Sequence, residues 1–216
     1  MAFGLPNVSF IGYPAPLPCA GHAGLGFREA RPRDAQAMRA HFAGLSAEDR
    51  RMRFCASLSG AALDAHVASM WTTASLVIAG HDGPLWSGPF HRAGPVRALA
   101  EVIVDGRDSE IGLSVDGALR RLGVGVLLVQ TAAWLLAPRG VTRLHAYTTP
   151  GNIPMLRIGR RSGARIETDA EAVEITFDVA ELRLAYLRRR MLAPVGLSAV
   201  ADRAVTRRPA LLPWRS

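Results

Sequence analysis

The residues best suited to chemistry in this chain form the stretch Arg120-Arg121-Leu122-Gly123-Val124-Gly125. A basic pair precedes two glycines one residue apart, and an apolar run from Val124 to Ala137 begins at once. Glycine lets the main chain come close to an anion, and the first N–H groups of a helix lack internal acceptors and point at it. The pattern suits a pyrophosphate. It points to a cofactor carrying phosphates, and so to an enzyme. Metal chemistry has no comparable foothold. The histidines at 22, 41, 66, 81, 91 and 145 show no ligand spacing, and Cys19 and Cys55 make neither a Cys-x-x-Cys pair nor a disulfide framework. No metal and a reduced, cytoplasmic setting are expected. All 26 basic residues are arginine. No lysine side chain can therefore serve as a Schiff base, a phosphate ligand or a self-acetylation site.

The elements that must position this stretch follow from periodicity and breakers. Gly26 to Ala30 reads as a strand. Arg31-Pro32-Arg33-Asp34 opens a helix continuing from Ala35 to Leu45. Ser46 suits an N-cap with Asp49 at its third position, for a helix from Ala47 to Phe54. A further helix from Gly60 to Trp71 places Leu63, Val67 and Met70 on one side. Leu76 to Ala79 is a strand, and 81–95 a loop whose Trp86 and Phe90 line a pocket or anchor the loop. Ala98 to Val104 and Glu110 to Val115 form a hairpin about Asp105-Gly106-Arg107-Asp108. A helix from Leu122 to Ala137 follows, then a strand from Val141 to Thr148. Pro150-Gly151-Asn152 precedes a helix from Ile153 to Ser162, which ends at Gly163. Ala164 to Glu167 and Val173 to Val179 make a last hairpin, and Ala180 to Leu192 an arginine-rich helix. Hairpins alternating with helices predict a mixed sheet rather than a parallel one.

Composition sets the outer bounds. At 216 residues, 49% apolar and 20% charged, the chain can bury an ordinary core. Residues 1–24 read as an irregular arm, and Pro6, Pro14, Pro16 and Pro18 break any signal-peptide core. The longest apolar run, Leu122 to Ala137, contains Gln130 and falls short of the ~20 residues of a membrane span, so a buried helix is expected. The net charge of +8 is concentrated at the end: residues 181–216 hold eight arginines against Glu181 and Asp202. A basic tail can meet nucleic acid or anionic membrane. Its place outside the motif-bearing segment favours a solvated tail instead.

Three motifs in order resemble the GNAT superfamily of N-acetyltransferases. Arg120 to Gly125 fits that family's Gln/Arg-x-x-Gly-x-Gly/Ala motif. Asn152-Ile153-Pro154-Met155-Leu156 with Gly163 resembles its Asn-x-x-Met-Leu segment, and Arg31-Pro32-x-Asp34 its usual opening. The resemblance spans about residues 25–180, leaving 1–24 as the arm and 181–216 as helix and tail. Leu45-Ser46-x-Glu48-x-Arg50-x-x-Arg53-Phe54 and Glu110 to Val115 are also similar to segments of bacterial protein-lysine acetyltransferase domains.

The resemblance implies an α/β (α+β) fold, with a largely antiparallel mixed sheet of six to seven strands and helices on both faces. It implies acetyl-CoA as co-substrate and transfer of its acetyl group to a primary amine, of a small molecule or a protein lysine, by direct attack. A homodimer is compatible with it. Backbone amides of Arg121, Leu122, Gly123, Val124 and Gly125 would hold the CoA pyrophosphate, with Arg120 or Arg121 adding charge. The strand segment Leu113-Ser114-Val115 would pair with the pantetheine arm, and one amide there would hold the acetyl carbonyl. A single such donor is typically worth ~2.7–4 kcal/mol in the transition state. Glu110 is the expected general base, with Glu101 as runner-up. Asn152 would bond the cofactor's amide arm, or else serve as a turn former. The family's tyrosine, seven residues after this asparagine, is replaced by Gly159. Tyr147 could stand in for it as the acid. The competing expectation is a catalytically silent CoA-binding regulatory or interaction module.

Overall fold

Seven strands join edge to edge in the order β1-β2-β3-β4-β5-β7-β6. They are β1 (Leu25–Glu29), β2 (Leu76–Asp82), β3 (Val96–Asp105), β4 (Asp108–Val115), β5 (Arg143–Thr148), β6 (Arg165–Thr168) and β7 (Val173–Asp178). The computed structural model describes residues 25–56, 58–82 and 94–192. The arm 1–24, the tail from 193 and most of the expected loop, with Trp86 and Phe90, lie outside the described residues. Every neighbouring pair is antiparallel except β4 and β5. The expected mixed, largely antiparallel sheet is what forms.

Helices cover the sheet unequally. On the front face, α1 (Ala35–Gly44) and α3 (Gly60–Thr73) pack Met38, Phe42, Leu63, Val67 and Met70 against Val77, Ala79 and Leu99. Between them α2 (Ala47–Phe54) reaches β4. Ser46 caps α2 as expected, its hydroxyl accepting from the Asp49 amide at 3.0 Å. On the back face, α4 (Val124–Leu136), α5 (Ile153–Arg161) and α6 (Val179–Leu192) enclose the larger core. Helix α4 is apolar on nearly every side because it lies between the sheet and α6. Its fully buried Leu127 and Leu128 each contribute about 1.5–3 kcal/mol of burial. Leu182 and Tyr186 bring α6 into the same core, and the Tyr186 ring stacks on Trp134 at 5.3 Å.

Two boundaries differ from expectation for identifiable reasons. The strand expected to end at Ala79 continues through Gly80 and His81, which the sequence placed beyond the strand. Gly80 permits this because a Cβ there would lie 2.8 Å from Phe27 Cε1 on β1. His81 Nδ1 is then held by the Gly94 carbonyl at 2.8 Å. Helix α4 begins at Val124 rather than Leu122, because Arg121 and Gly123 adopt left-handed φ values of +63° and +85°. The remaining ends move by one or two residues, as helix and strand ends commonly do.

Candidate active site

The sheet is split in its middle. Strands β4 and β5 pair only from Asp108–Arg143 to Glu110–His145, although β4 runs on to Val115 and β5 to Thr148. A notch therefore opens beside Ile111 to Val115. Which amides face it follows from ladder alternation. The Asp116 N–H donates to the Arg97 carbonyl at 2.9 Å. In an antiparallel pair every second residue bonds the same neighbour. The amides of Gly112 and Ser114 thus point to β3, and those of Leu113 and Val115 point into the notch. The opposite edge agrees, since the Arg107 carbonyl accepts from Thr142 on the β5 side at 2.8 Å.

The notch runs into an open groove of about 920 Å³ that reaches the start of α4. There the first helical bond runs from the Leu127 N–H to the Gly123 carbonyl, so the amides of Val124 to Val126 have no acceptor within the helix. The two glycines do different work. Gly123 supplies the left-handed turn, with nothing within 4 Å of where its Cβ would be. Gly125 makes room for α5, because a Cβ there would lie 2.5 Å from Ile158 Cδ1. Arg120 also differs from its partner. Both are exposed and line the groove, but Arg120 is ion-paired with Asp49 of α2. Burial pushes the Asp49 carboxyl up, but Arg120 and Ser46 outweigh it and hold the group below its ordinary value.

Two groove residues escaped the sequence reading. Arg157 and Arg161 line the groove together with Arg121. Their i, i+4 spacing on α5, one face of a helix, was the available signal. Asn152 lines the groove as well, but its amide is engaged in capping. Its oxygen accepts from the Met155 N–H at 3.2 Å, and its nitrogen donates to Thr148 Oγ1 at 2.8 Å. The turn-forming reading describes that geometry.

The candidate acids and bases share the front face of β3, β4 and β5, because Glu101 opposes Gly112 and Glu110 is in register with His145. Glu101 is held 2.8 Å from Arg53 and 3.3 Å from His66. Burial raises its carboxyl, but His66 and Arg53 together bring it below the usual range. The Arg53 guanidinium lies flat on Gly112, where a Cβ would come within 2.6 Å of it. Glu110 is exposed, and its charge acts on both Arg53 and Tyr147. Tyr147 is 58% exposed and donates to Glu174 at 3.4 Å. Desolvation and the nearby carboxylates push its phenol up. His145 bridges Glu174 at 2.8 Å and Asp108 at 3.0 Å. Hydrogen bonds from Arg143 and His145 hold Asp108 down to about 2.

Gly159, where the resemblance implies a tyrosine, faces the sheet. A Cβ there would be 2.8 Å from Ile175 Cγ2, so α5 sits too close to β7 for a larger residue. One more pair went unforeseen: His41 Nε2 and Ser114 Oγ meet at 2.8 Å, with Ser114 lining the groove. Among the described residues no group of three or more His, Cys, Asp or Glu side chains could hold a metal, and no helix is long and apolar enough to cross a membrane.

No protein-family model matches the chain. Solved structures do. The GNAT domain of S. lividans PAT is 19% identical over 71% of this chain and 90% of its own length, with a TM-score of 0.59. Spermidine N-acetyltransferase from Vibrio cholerae, in complex with CoA and spermine, is 11% identical over 74% and 99%, with a TM-score of 0.58. A GNAT-family acetyltransferase from Bacillus anthracis is 12% identical over 74% and 98%, with a TM-score of 0.56. At such identities the likeness establishes the fold, with the split between β4 and β5 part of it in this chain.

Proposed function

We propose that this chain, whose fold is that of the GNAT N-acetyltransferases, transfers an acetyl group from acetyl-CoA to a primary amine. The observation that carries the reading is the notch between β4 and β5. It offers the amides of Leu113 and Val115 as an unfinished ladder and leads directly to the free amides at the start of α4. An extended pantetheine arm could complete that ladder as an added strand does. The pyrophosphate would then rest on Leu122, Gly123, Val124 and Gly125, with Arg121, Arg157 and Arg161 supplying charge. Arg120 would contribute by way of Asp49, by fixing α2 over the turn.

Glu110 is the preferred general base. It is exposed on the front face, whereas Glu101 is ion-paired with Arg53 and hydrogen-bonded to His66. Its role would be to take the proton of the arriving ammonium, directly or through water. Tyr147, with its raised pKa, would keep its proton and could only donate.

The test is acetyl-CoA binding by calorimetry together with thiol release across a panel of amines. Binding should be lost in Gly123→Glu, and thiol release in Glu110→Gln. No measurable affinity for acetyl-CoA in the parent would end the proposal. The replacement of the usual tyrosine by Gly159 favours a second reading, a CoA-binding module without turnover. It predicts binding with no thiol release for any amine.

A further inference from the structure

In the segment Leu45-Ser46-x-Glu48-x-Arg50-x-x-Arg53-Phe54, Ser46 and Arg50 serve the fold. Ser46 caps α2, and Arg50 Nη1 donates to the carbonyls of Ala43 and Leu45 at 3.0 and 2.6 Å, closing the corner between α1 and α2. Arg53 is placed differently. Its side chain is only 13% exposed, yet it lines the groove. Three contacts fix the guanidinium. Nη2 donates to Glu101 at 2.8 Å, the centre of the Phe54 ring lies 5.0 Å from Cζ, and the main chain of Gly112 lies against it. A Cβ on Gly112 would stand 2.6 Å from both Cζ and Nη1 and 2.7 Å from Nη2, so the guanidinium faces this one residue. Its Nε is buried without a hydrogen-bond partner among the described residues.

The Arg53–Glu101 pair has a direction. Glu101 is on β3 and opposes Gly112 of β4, whereas the notch lies on the other side of β4. The positive member is therefore nearer the notch, and the negative member is set back from it. Burial draws the Arg53 pKa down against the pull of Glu101 and Glu110, but a guanidinium keeps its proton at physiological pH. Leu113, whose amide points into the notch, follows Gly112 directly in the chain. A cation held rigidly in such a place needs no reorganisation when negative charge develops beside it, and burial makes it worth more than in water.

Resting on the acetyl-transfer reading above, we propose that Arg53 is the fixed cation of the reaction centre, stabilising the negative charge that gathers on the thioester oxygen as the amine attacks. Glu110 first takes one proton from the ammonium and passes it to water. The nitrogen lone pair then bonds to the thioester carbon, and the C=O π pair moves onto the oxygen, which the Leu113 amide holds in the field of Arg53. As the C=O bond re-forms, the C–S bond breaks and the CoA thiolate leaves with its electron pair. The nitrogen gives its second proton to solvent, and the thiolate takes one from solvent. Attack is direct, and Arg53 neither gains nor loses a proton.

The experiment records infrared difference spectra of the full chain with acetyl-CoA carrying heavy carbon at the thioester carbonyl. It needs no acceptor. A neighbouring cation polarises the C=O bond, so the bound stretch should fall below that of free acetyl-CoA. In the double variant Arg53→Met with Glu101→Gln, which removes both charges together, the lowering should shrink while calorimetry finds acetyl-CoA bound as in the parent. With the amine that the parent turns over fastest, the same variant should lose about 10²-fold in kcat with KM for acetyl-CoA unchanged. Arg53→Gln, which keeps a hydrogen-bond donor but no charge, gives the same comparison if the double variant fails to fold. An unchanged carbonyl frequency in a folded variant that binds acetyl-CoA overturns the proposal and leaves Arg53 a structural partner of Glu101. A fall in kcat explained by weaker acetyl-CoA binding, with the frequency unchanged, overturns it too. A parent that does not bind acetyl-CoA ends the acetyl-transfer reading itself, and calorimetry on the parent tells that failure apart.

Discussion

Acidification should destabilise the protein through His41 before its carboxylates titrate. The folded ring titrates near 4, against 6.5 for an ordinary histidine, because burial disfavours its charge. Between those values the unfolded chain binds a proton that the folded chain does not, so stability is complete above about pH 6.5 and falls as pH drops towards 4. The full difference corresponds to about 3 kcal/mol, of which about 2 kcal/mol is lost by pH 5. A typical domain has only ~5–15 kcal/mol to lose. Asp34 and Glu101, whose pKa values are held low by their partners, add their losses only at still lower pH. Urea unfolding at pH 7.5 and pH 5 measures the effect. His41→Gln, which can still hydrogen-bond Ser114, provides the control and cancels the remaining histidines. The parent should lose about 2 kcal/mol more than the variant over this range. Equal losses would refute the claim that His41 is neutral and desolvated.

Three substitutions test the groove and its support by the same unfolding measurement. Gly125→Ala forces a methyl against Ile158 and should cost about 1–3 kcal/mol, with part recovered by adding Ile158→Val. Gly123→Ala meets no neighbour, but its φ of +85° should cost about 1–2 kcal/mol, and no second-site change should restore it. Arg53→Met leaves Glu101 with His66 alone and should cost about 3–5 kcal/mol, with recovery in the double variant carrying Glu101→Gln.

What the sequence disclosed was local. The β3–β4 hairpin could be read from Asp105-Gly106, and Gly106 does take a left-handed φ of +59°. The glycine turn was visible because an anion site needs small residues at a helix start. No local rule puts Arg121 in a left-handed conformation, so α4 was started two residues early. The split between β4 and β5 was hidden for a different reason: it depends on where β5 lies after α4 has crossed the back face. The surroundings of the candidate acids were hidden as well. Glu101 meets Arg53 from α2 and His66 from α3, and Ser114 meets His41 from α1. Each of these pairings is made by helix packing on the front face, which no spacing along the chain records.

Strand geometry sets Glu110 apart from the buried end of β4 and leads to a test of its role. At ~3.4 Å per residue, Glu110 lies about 14 Å along the strand from the buried Ser114, at the exposed end of β4. In the proposed reaction Glu110 takes the proton of the incoming ammonium on the exposed face. Glu110→Gln should then lower amine acetylation at pH 7 by about 10²–10⁴-fold while leaving acetyl-CoA binding intact. Because an alkylamine loses its own proton near pH ~10.4, each unit of pH rise towards that value supplies about tenfold more free amine. The deficit of Glu110→Gln should accordingly shrink as pH rises from 7 towards 10, with the parent's rate changing far less. Steady-state rates of both proteins across that range measure it. Parallel profiles, offset by a constant factor, would mean that Glu110 shapes the site without carrying the proton.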